Sequence, residues 1–553
     1  MNVVLTLAVA RSHESIHERV LATIIRPPLA ASEDWQTIDM PLNHFDALES
    51  TPWTMRYWVD RKYWNNRTTS PVFLQMGGEG AQGAPGGQMR ELAEAHNALM
   101  FSIEHRYYGE SIPTKDFSTA NLQWLGSAQA LADAAFFQNA MVDRFALASE
   151  ARWVTFGGSY SGELAAWARI KYPHLFFAAV ASSAPVTASV DYDGYDKVVA
   201  DALFNSDVGG SRACQDAVAQ AFGELQTRFD DAAKRAGLEK TFNTCGEIAH
   251  DGDAYLLHDF VSDDFMGLVQ YNDDGAAVSI RTRCADMLNA KLGADPFARL
   301  VAITQQRAAA LKLTCINDPD PSGVVDSISF IEHLAGYANA SNAARAFPYQ
   351  MCVDGVGHDQ TCKPEKGCIF SPIANRTFFQ QQCDAAFGVT QRQTDVAVLF
   401  NSVSYGDATP GSSRILFVNG GIDPFQAGSV LANTSALLAR DIFALLVPGA
   451  SHCQDMGASA PSDSPSMQVR CSFFCLLNSF CLLIYSFVCS FFCLFTTMRH
   501  AIDAGGEARQ GGDPRNVARV ALGDGARTCA SGASRAGAAR AAVRRGNGRE
   551  SVS

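Results

Sequence analysis

Three residues of this sequence, each at the end of an apolar run, are of the right types to do chemistry together. Ser159 lies in Gly157-Gly158-Ser159-Tyr160-Ser161-Gly162, Asp423 closes Asn419-Gly420-Gly421-Ile422-Asp423, and His452 follows Pro448-Gly449-Ala450-Ser451. A serine hydroxyl is a poor nucleophile until a base accepts its proton. An imidazole can do so, and a carboxylate behind it fixes the tautomer and stabilises the imidazolium. The chemistry implied is acyl transfer through an acyl-enzyme. Taken singly, a Gly-Gly-Ser turn, an Asp-Pro pair or a loop histidine is ordinary, so the weight rests on their joint occurrence.

The flanking residues say what must position them. Residues 153–156 form a short β-prone run, small residues follow, and residues 163–169 are good helix formers. This is the strand–turn–helix of a nucleophile elbow with Ser159 at its apex. Small residues at Gly157 and two positions after the serine let strand and helix approach closely, and here the second of these is Ser161 where G-x-S-x-G has glycine. Residues 414–418 and 444–447 read as buried strands running into the turns of Asp423 and His452. The order Ser, Asp, His is that of the α/β-hydrolase fold, which is the fold class expected.

An oxyanion needs aimed N–H donors. One should be the backbone of Tyr160, and the second should come from the glycine-rich loop Gly77-Gly78-Glu79-Gly80 after the apolar residues 71–76, with Gly78 or Glu79 as donor. Read as a phosphate cradle, that loop lacks both GxGxxG and a following Lys-Ser/Thr. The segment Glu104-His105-Arg106-Tyr107-Tyr108-Gly109-Glu110-Ser111 reads as structural, because a triad is already complete and an apolar run, residues 98–103, precedes it. Cys453 reads as a disulfide partner or buried thiol, since the elbow carries serine.

With these motifs in place, residues 35–467 resemble the lysosomal-type serine exopeptidases, a family that includes prolyl carboxypeptidase, dipeptidyl peptidase II and thymus-specific serine protease. The resemblance is carried by Asn43-His44-Phe45, Met55-Arg56-Tyr57-Trp58, the Gly77 to Gly80 loop, the Glu104 to Ser111 segment, the elbow, Ala181-Ser182-Ser183-Ala184-Pro185, the Asp423 turn and Ser451-His452-Cys453-Gln454-Asp455-Met456. The family's nucleophile, acid and base fall on Ser159, Asp423 and His452. The resemblance further implies a helical, disulfide-bearing cap over residues 191–395, access for a peptide end only, a preference for proline at the cleaved position, and pairing of Cys352 with Cys383. Amino- and carboxy-terminal exopeptidases both remain open.

The chain has 553 residues, 47% hydrophobic and 18% charged, so it is not globally disordered. With 44 basic and 57 acidic residues its net charge is −13, which argues against nucleic acid as a partner. Residues 498–553 contain ten arginines against five acidic residues, so the rest of the chain is more acidic than the total suggests. Residues 471–497 carry no charge and contain seven Phe and five Cys. That run has the length of a membrane span followed by a basic stop, but its monotony equally fits translated non-coding sequence.

Cys214, Cys245, Cys284, Cys315, Cys352, Cys362, Cys368 and Cys383 cluster in one region without CxxC spacing, which fits disulfides in an oxidising compartment better than a metal. Eight cysteines permit 105 pairings, so sequence alone leaves the connectivity open. Sequons at Asn66, Asn339, Asn375 and Asn433, and an apolar run at residues 2–10 ending in Ala8-Val9-Ala10, agree with a secreted or lysosomal/vacuolar chain. The expected organisation is a candidate signal peptide and leader (1–30), a first hydrolase part (31–190), a helical cap (191–395), a second hydrolase part (396–467) and an anomalous tail (468–553). Peptide substrates are expected, with no cofactor and no metal; a homodimer is compatible with the sequence, and membrane association depends on residues 471–497. A lipase or esterase, and a non-catalytic membrane-anchored binding protein, are the alternatives.

Overall fold

The computed structural model describes residues 35–273, 275–316, 343–356, 360–460 and 463. Asn339, the apolar runs at residues 2–10 and 471–497, and the arginine-rich tail lie outside the described residues. The chain divides after Cys471 into two units, and the described residues belong to the first.

Eight strands form one sheet: β1 (Gln36–Pro41), β2 (Pro52–Asp60), β3 (Val72–Gln75), β4 (Leu99–Ile103), β5 (Trp153–Gly158), β6 (Phe176–Ser182), β7 (Ile415–Gly420) and β8 (Ile442–Val447). Their order is β1-β2-β4-β3-β5-β6-β7-β8. The pairs β1–β2 and β2–β4 are antiparallel and the others parallel. This crossover order is that of the α/β-hydrolase fold. Central strands of a parallel sheet are covered on both faces, and β4 and β7 are accordingly buried along their whole length.

Helices of eight or more residues are numbered along the chain. Three flank the sheet in its first part: α1 (Gly87–His96), α2 (Ser127–Phe145) and α3 (Tyr160–Lys171). Between β6 and β7 come α4 (Gly194–Phe204), α5 (Arg212–Asp230), α6 (Ala232–Phe242), α7 (Asp251–Ser262), α8 (Ile280–Leu288), α9 (Pro296–Ala310), α10 (Ala343–Val353), α11 (Arg376–Phe387) and α12 (Gln391–Tyr405). The starts of this helical insert are written in local sequence: Ser211, Asp231, Asp295 and Asn375 each accept a first-turn N–H, and Pro296 opens α9. The boundary expected at residue 395 falls inside α12, which runs on to Tyr405.

Leu74, Phe101, Phe137, Trp153 and Leu164 belong to a core on the sheet. Phe222, Leu225, Phe260, Phe265 and Leu300 build a second core in the insert, which Ile422, beside Asp423, joins from the hydrolase side. Disulfides link Cys214 to Cys284, Cys245 to Cys315, Cys352 to Cys383 and Cys362 to Cys368.

Candidate active site

Ser159 occupies the turn between β5 and α3 with φ 57° and ψ −132°, a conformation L-residues rarely adopt. The glycines around it are required by contact. A Cβ on Gly157 would stand 1.9 Å from Ser161 O, and one on Gly162 would stand 2.8 Å from Ser182 O. Ser161 is tolerated because its side chain works for the turn: Gly158 N–H donates to Ser161 Oγ at 3.0 Å, and Ser161 Oγ–H donates to Gly158 O at 2.8 Å. The close approach to β6 thus falls on Gly162, one residue later than the G-x-S-x-G pattern suggested. Ser159 N–H donates to Ser182 O at 3.0 Å, tying the apex to the neighbouring strand.

Asp423 and His452 end the loops after β7 and β8, and both are buried. His452 Nδ1–H donates to Asp423 Oδ1 at 2.9 Å, which leaves Nε2 as the nitrogen able to accept a proton. Phe425 N–H donates to the same carboxylate oxygen at 2.9 Å. Burial opposes charge on His452, but the Asp423 carboxylate and the Cys453 sulfur outweigh it and raise its pKa well above the ordinary value. The histidine loop packs on the elbow: a Cβ on Gly158 would meet Met456 Sδ at 2.2 Å and Cys453 Sγ at 2.8 Å. Cys453 N–H donates to Ser183 Oγ at 2.9 Å, and Ser182 Oγ–H donates to Asp455. Cys453 is free of any disulfide, and burial raises its pKa.

The insert reaches the same histidine. His452 N–H donates to Gln270 O at 2.8 Å, Tyr271 meets the imidazole edge-on at 5.9 Å, and Phe425 packs on it at 5.0 Å. Tyr195 Oη–H donates to Gln270 Oε1 at 2.6 Å and Gln270 Nε2–H to Tyr271 Oη at 2.6 Å. Gln270 and Tyr271 escaped the sequence reading because nothing in their local pattern distinguishes them from other helix-end residues.

On the oxyanion side, Tyr160 is the first residue of α3, so its backbone N–H has no acceptor within the helix. Gly78 lies against Ser161, since a Cβ there would stand 3.4 Å from Ser161 Cβ. Burial raises the pKa of Glu79 despite the attraction of His452. Beneath Tyr160 lies a polar network. Burial holds His105 near pKa 4, so it is neutral, and its Nδ1–H donates to Arg106 O at 2.6 Å. Its Nε2 therefore accepts from Tyr160 Oη at 3.0 Å, and Gln350 Nε2–H donates to the same oxygen at 3.0 Å. Burial also raises Glu163, reinforced by Glu79 and Asp354, and lifts Asp354 to about 7.

The other residues singled out by sequence find these places. Glu104 accepts from Arg56 at 2.8 and 2.6 Å and from Ser111 at 2.7 Å, and Arg106 holds Asp133 at 2.7 Å, so both charges serve the scaffold. Asn66, Asn375 and Asn433 are exposed. Asn375 caps α11, and Asn433 exchanges hydrogen bonds with Ala444 of β8. Asp196, Cys362 and Cys368 come within metal-binding distance of one another, but both sulfurs are spent in one disulfide and so are not thiolate ligands.

The fold and this arrangement define an α/β hydrolase with a serine elbow and a buried Asp–His pair under a helical insert. Residues 40–472 match the family described as serine carboxypeptidase S28, and the chain belongs to that family of serine exopeptidases. It is 35% identical to the thymus-specific serine protease of Homo sapiens over 81% of this chain and 87% of that protein. The Mus musculus protein of the same name is 35% identical over 80% and 86%. The lysosomal Pro-X carboxypeptidase of Bos taurus is 24% identical over 80% of this chain and 87% of its own length.

Proposed function

We propose that this chain is a serine exopeptidase that cleaves next to proline near a peptide terminus, with Ser159 as nucleophile, His452 as general base then acid, and Asp423 as the orienting carboxylate. The observation that carries the reading is the 2.9 Å bond from His452 Nδ1 to Asp423, in a loop packed on the strained Ser159 turn. Ser159 Oγ attacks the scissile carbonyl as its proton passes to His452 Nε2. The tetrahedral oxyanion takes the Tyr160 N–H and the N–H of Gly78, which lies against Ser161 of the elbow. His452 returns the proton to the leaving amine, and water then hydrolyses the acyl-enzyme by the same steps. The insert, bonded to His452 through Gln270 O, limits the groove to a chain end.

Four disulfides, three exposed sequons and a relative named as lysosomal support an oxidising, secretory or lysosomal setting. Asn66, Asn375 and Asn433 would carry glycans there, and a mobility shift on glycosidase treatment, lost in the Asn→Gln variants, tests it.

The activity is tested with X-Pro-arylamides and blocked Pro-X peptides between about pH 4.5 and 7.5. Cleavage of the first marks an amino-terminal dipeptidase, and cleavage of the second a carboxypeptidase. Ser159→Ala abolishes whichever is seen; peptidase activity surviving in that variant overturns the mechanism, and hydrolysis of p-nitrophenyl esters alone overturns the substrate class.

A further inference from the structure

The insert holds a second cluster of reactive groups, which the proposed peptidase chemistry does not use. Cys362 and Cys368 form a disulfide at the base of a loop whose middle, residues 364–367, is exposed. Asp196, in the first turn of α4, is buried against that bridge, with Oδ2 3.3 Å from Cys368 Sγ. A disulfide sulfur carries no hydrogen, so the proton in this contact is the carboxyl's. Burial raises Asp196 to about 7, and its Oδ1 has no hydrogen-bond partner among the described residues, both of which suit the protonated acid. Phe370 N–H donates to the same sulfur at 3.4 Å. The two sulfurs are therefore unequal: a carboxyl proton and an N–H are aimed at Cys368, whereas Cys362 Sγ faces Phe370 O at 3.3 Å.

We propose that Cys362–Cys368 is a redox-active disulfide that exchanges with a small thiol, with Cys368 as the leaving sulfur and Asp196 as its proton donor. The attacking thiolate bonds to Cys362 Sγ as the Cys362–Cys368 bond breaks; the electron pair stays on Cys368 Sγ, which takes the Asp196 proton. This leaves a mixed disulfide on Cys362, a thiol at Cys368 and a carboxylate at Asp196, which the N-terminal end of α4 stabilises. A second thiol attacks the outer sulfur of the mixed disulfide, so the reductant departs as its own disulfide and Cys362 is released. The two protons given up by the two thiols return to Cys362 and Asp196. Two features let the bridge open within the folded chain. It closes the shortest loop, 6 residues against 31 and 70 for the others, so the fold relies on it least. The loop also has other fastenings, since Lys363 pairs with Asp191 and, at 3.1 Å, with Asp193, and Lys366 pairs with Asp193 at 2.6 Å. Both cysteines are buried beneath that loop, which admits a small thiol more readily than a protein dithiol.

The test treats the full chain with glutathione, without denaturant, at about pH 6.5, where Asp196 holds its proton. Free thiols are then alkylated and the peptides mapped by mass spectrometry. Early in the reaction glutathione is found on Cys362 and the alkyl group on Cys368, while Cys214, Cys245, Cys284, Cys315, Cys352 and Cys383 stay bridged. Asp196→Asn, which keeps the shape but has no acid proton to give, opens more slowly by about tenfold or more. The position of the adduct is read on the wild-type chain, so it stands whether or not the variant folds. Glutathione on Cys368, or on both cysteines equally, overturns the proposal. So does a bridge that opens only together with the other three or not at all, and so does a folded Asn variant that opens as fast as wild type.

Discussion

At Ser159 the backbone is held at positive φ by glycines on both sides, so the hydroxyl is presented by the turn and not by a choice of rotamer. In the proposed mechanism the His452 imidazole makes it a nucleophile, and the tautomer of that imidazole depends on one hydrogen bond to Asp423. Asp423→Asn keeps the shape but can donate to Nδ1, favouring the wrong tautomer; kcat should fall by about 10⁴ with KM little changed, measured on the best proline substrate. Glu79 gives a second prediction. Burial raises its pKa, so its carboxyl is neutral in acid and gains its charge as pH rises. That negative charge would appear beside the developing oxyanion, so kcat/KM should fall on the alkaline side, and Glu79→Gln should move that limb to higher pH while leaving the acid limb in place. Unaltered pH profiles in the Gln variant would remove Glu79 from the mechanism. Ser159, Asp423 and His452 were legible because each ends a β-prone run at a turn. Gln350, which holds the Tyr160 hydroxyl from 190 residues away, was not, since no local pattern records so distant a contact.

The same contrast holds among elements. Strands β5, β7 and β8 could be read from continuous apolar runs, and the elbow from the change of such a run into small residues and helix formers. The spacing of Val396, Leu399, Phe400 and Val403, by contrast, ordinarily marks a buried face, yet these residues are exposed, because the scaffold meets α12 through Asn401 and Tyr405. Apart from Cys352–Cys383, which the family resemblance implied, the disulfides also needed the structure, as pairing depends on distances between segments far apart in sequence. Their loops differ: Cys214–Cys284 and Cys245–Cys315 each span 70 residues, and Cys362–Cys368 spans 6. Because a cross-link acts mainly on the unfolded chain, replacing either long-range pair with serines should cost roughly 4 kcal/mol and replacing the short one roughly 2 kcal/mol, read from urea unfolding. Equal losses would show that local packing around the bridges, and not loop closure, sets their worth.

Across the whole molecule, the buried titratable groups tilt stability toward acid. Burial raises Asp196, Asp259 and Asp354 to about 7, with Asp263 adding to the effect at Asp259, and raises Asp264 to about 6 against the pull of Arg307 and Arg283. Asp196 is fully buried beside the Cys362–Cys368 bridge, and its Oδ1 has no hydrogen-bond partner, a place that suits a neutral carboxyl. A folded-state pKa above the unfolded value of 3.8 means that the fold holds the proton more tightly. The stability this confers is complete below about 3.8 and is lost as pH rises toward 7. His105 and His258 act oppositely: burial lowers both to about 4 from 6.5, so their contribution is complete above 6.5 and is lost as pH falls toward 4. Above 6.5 only the carboxyl cost continues to grow. Below about 4, ion-paired acids such as Asp133, which Arg106 holds charged against the cost of burial, begin to lose their partners. Melting temperature should therefore be highest near pH 5 and fall toward pH 7.5. At about 1.4 kcal/mol per pKa unit, Asp196 alone accounts for roughly 3 kcal/mol between those two conditions. Asp196→Asn, which imitates the protonated acid, should melt like wild type near pH 5 and clearly above it at pH 7.5. A melting temperature that rises steadily from pH 5 to 7.5, or an Asn variant that melts in parallel with wild type at every pH, would mean that these carboxyls are not protonated in the folded chain.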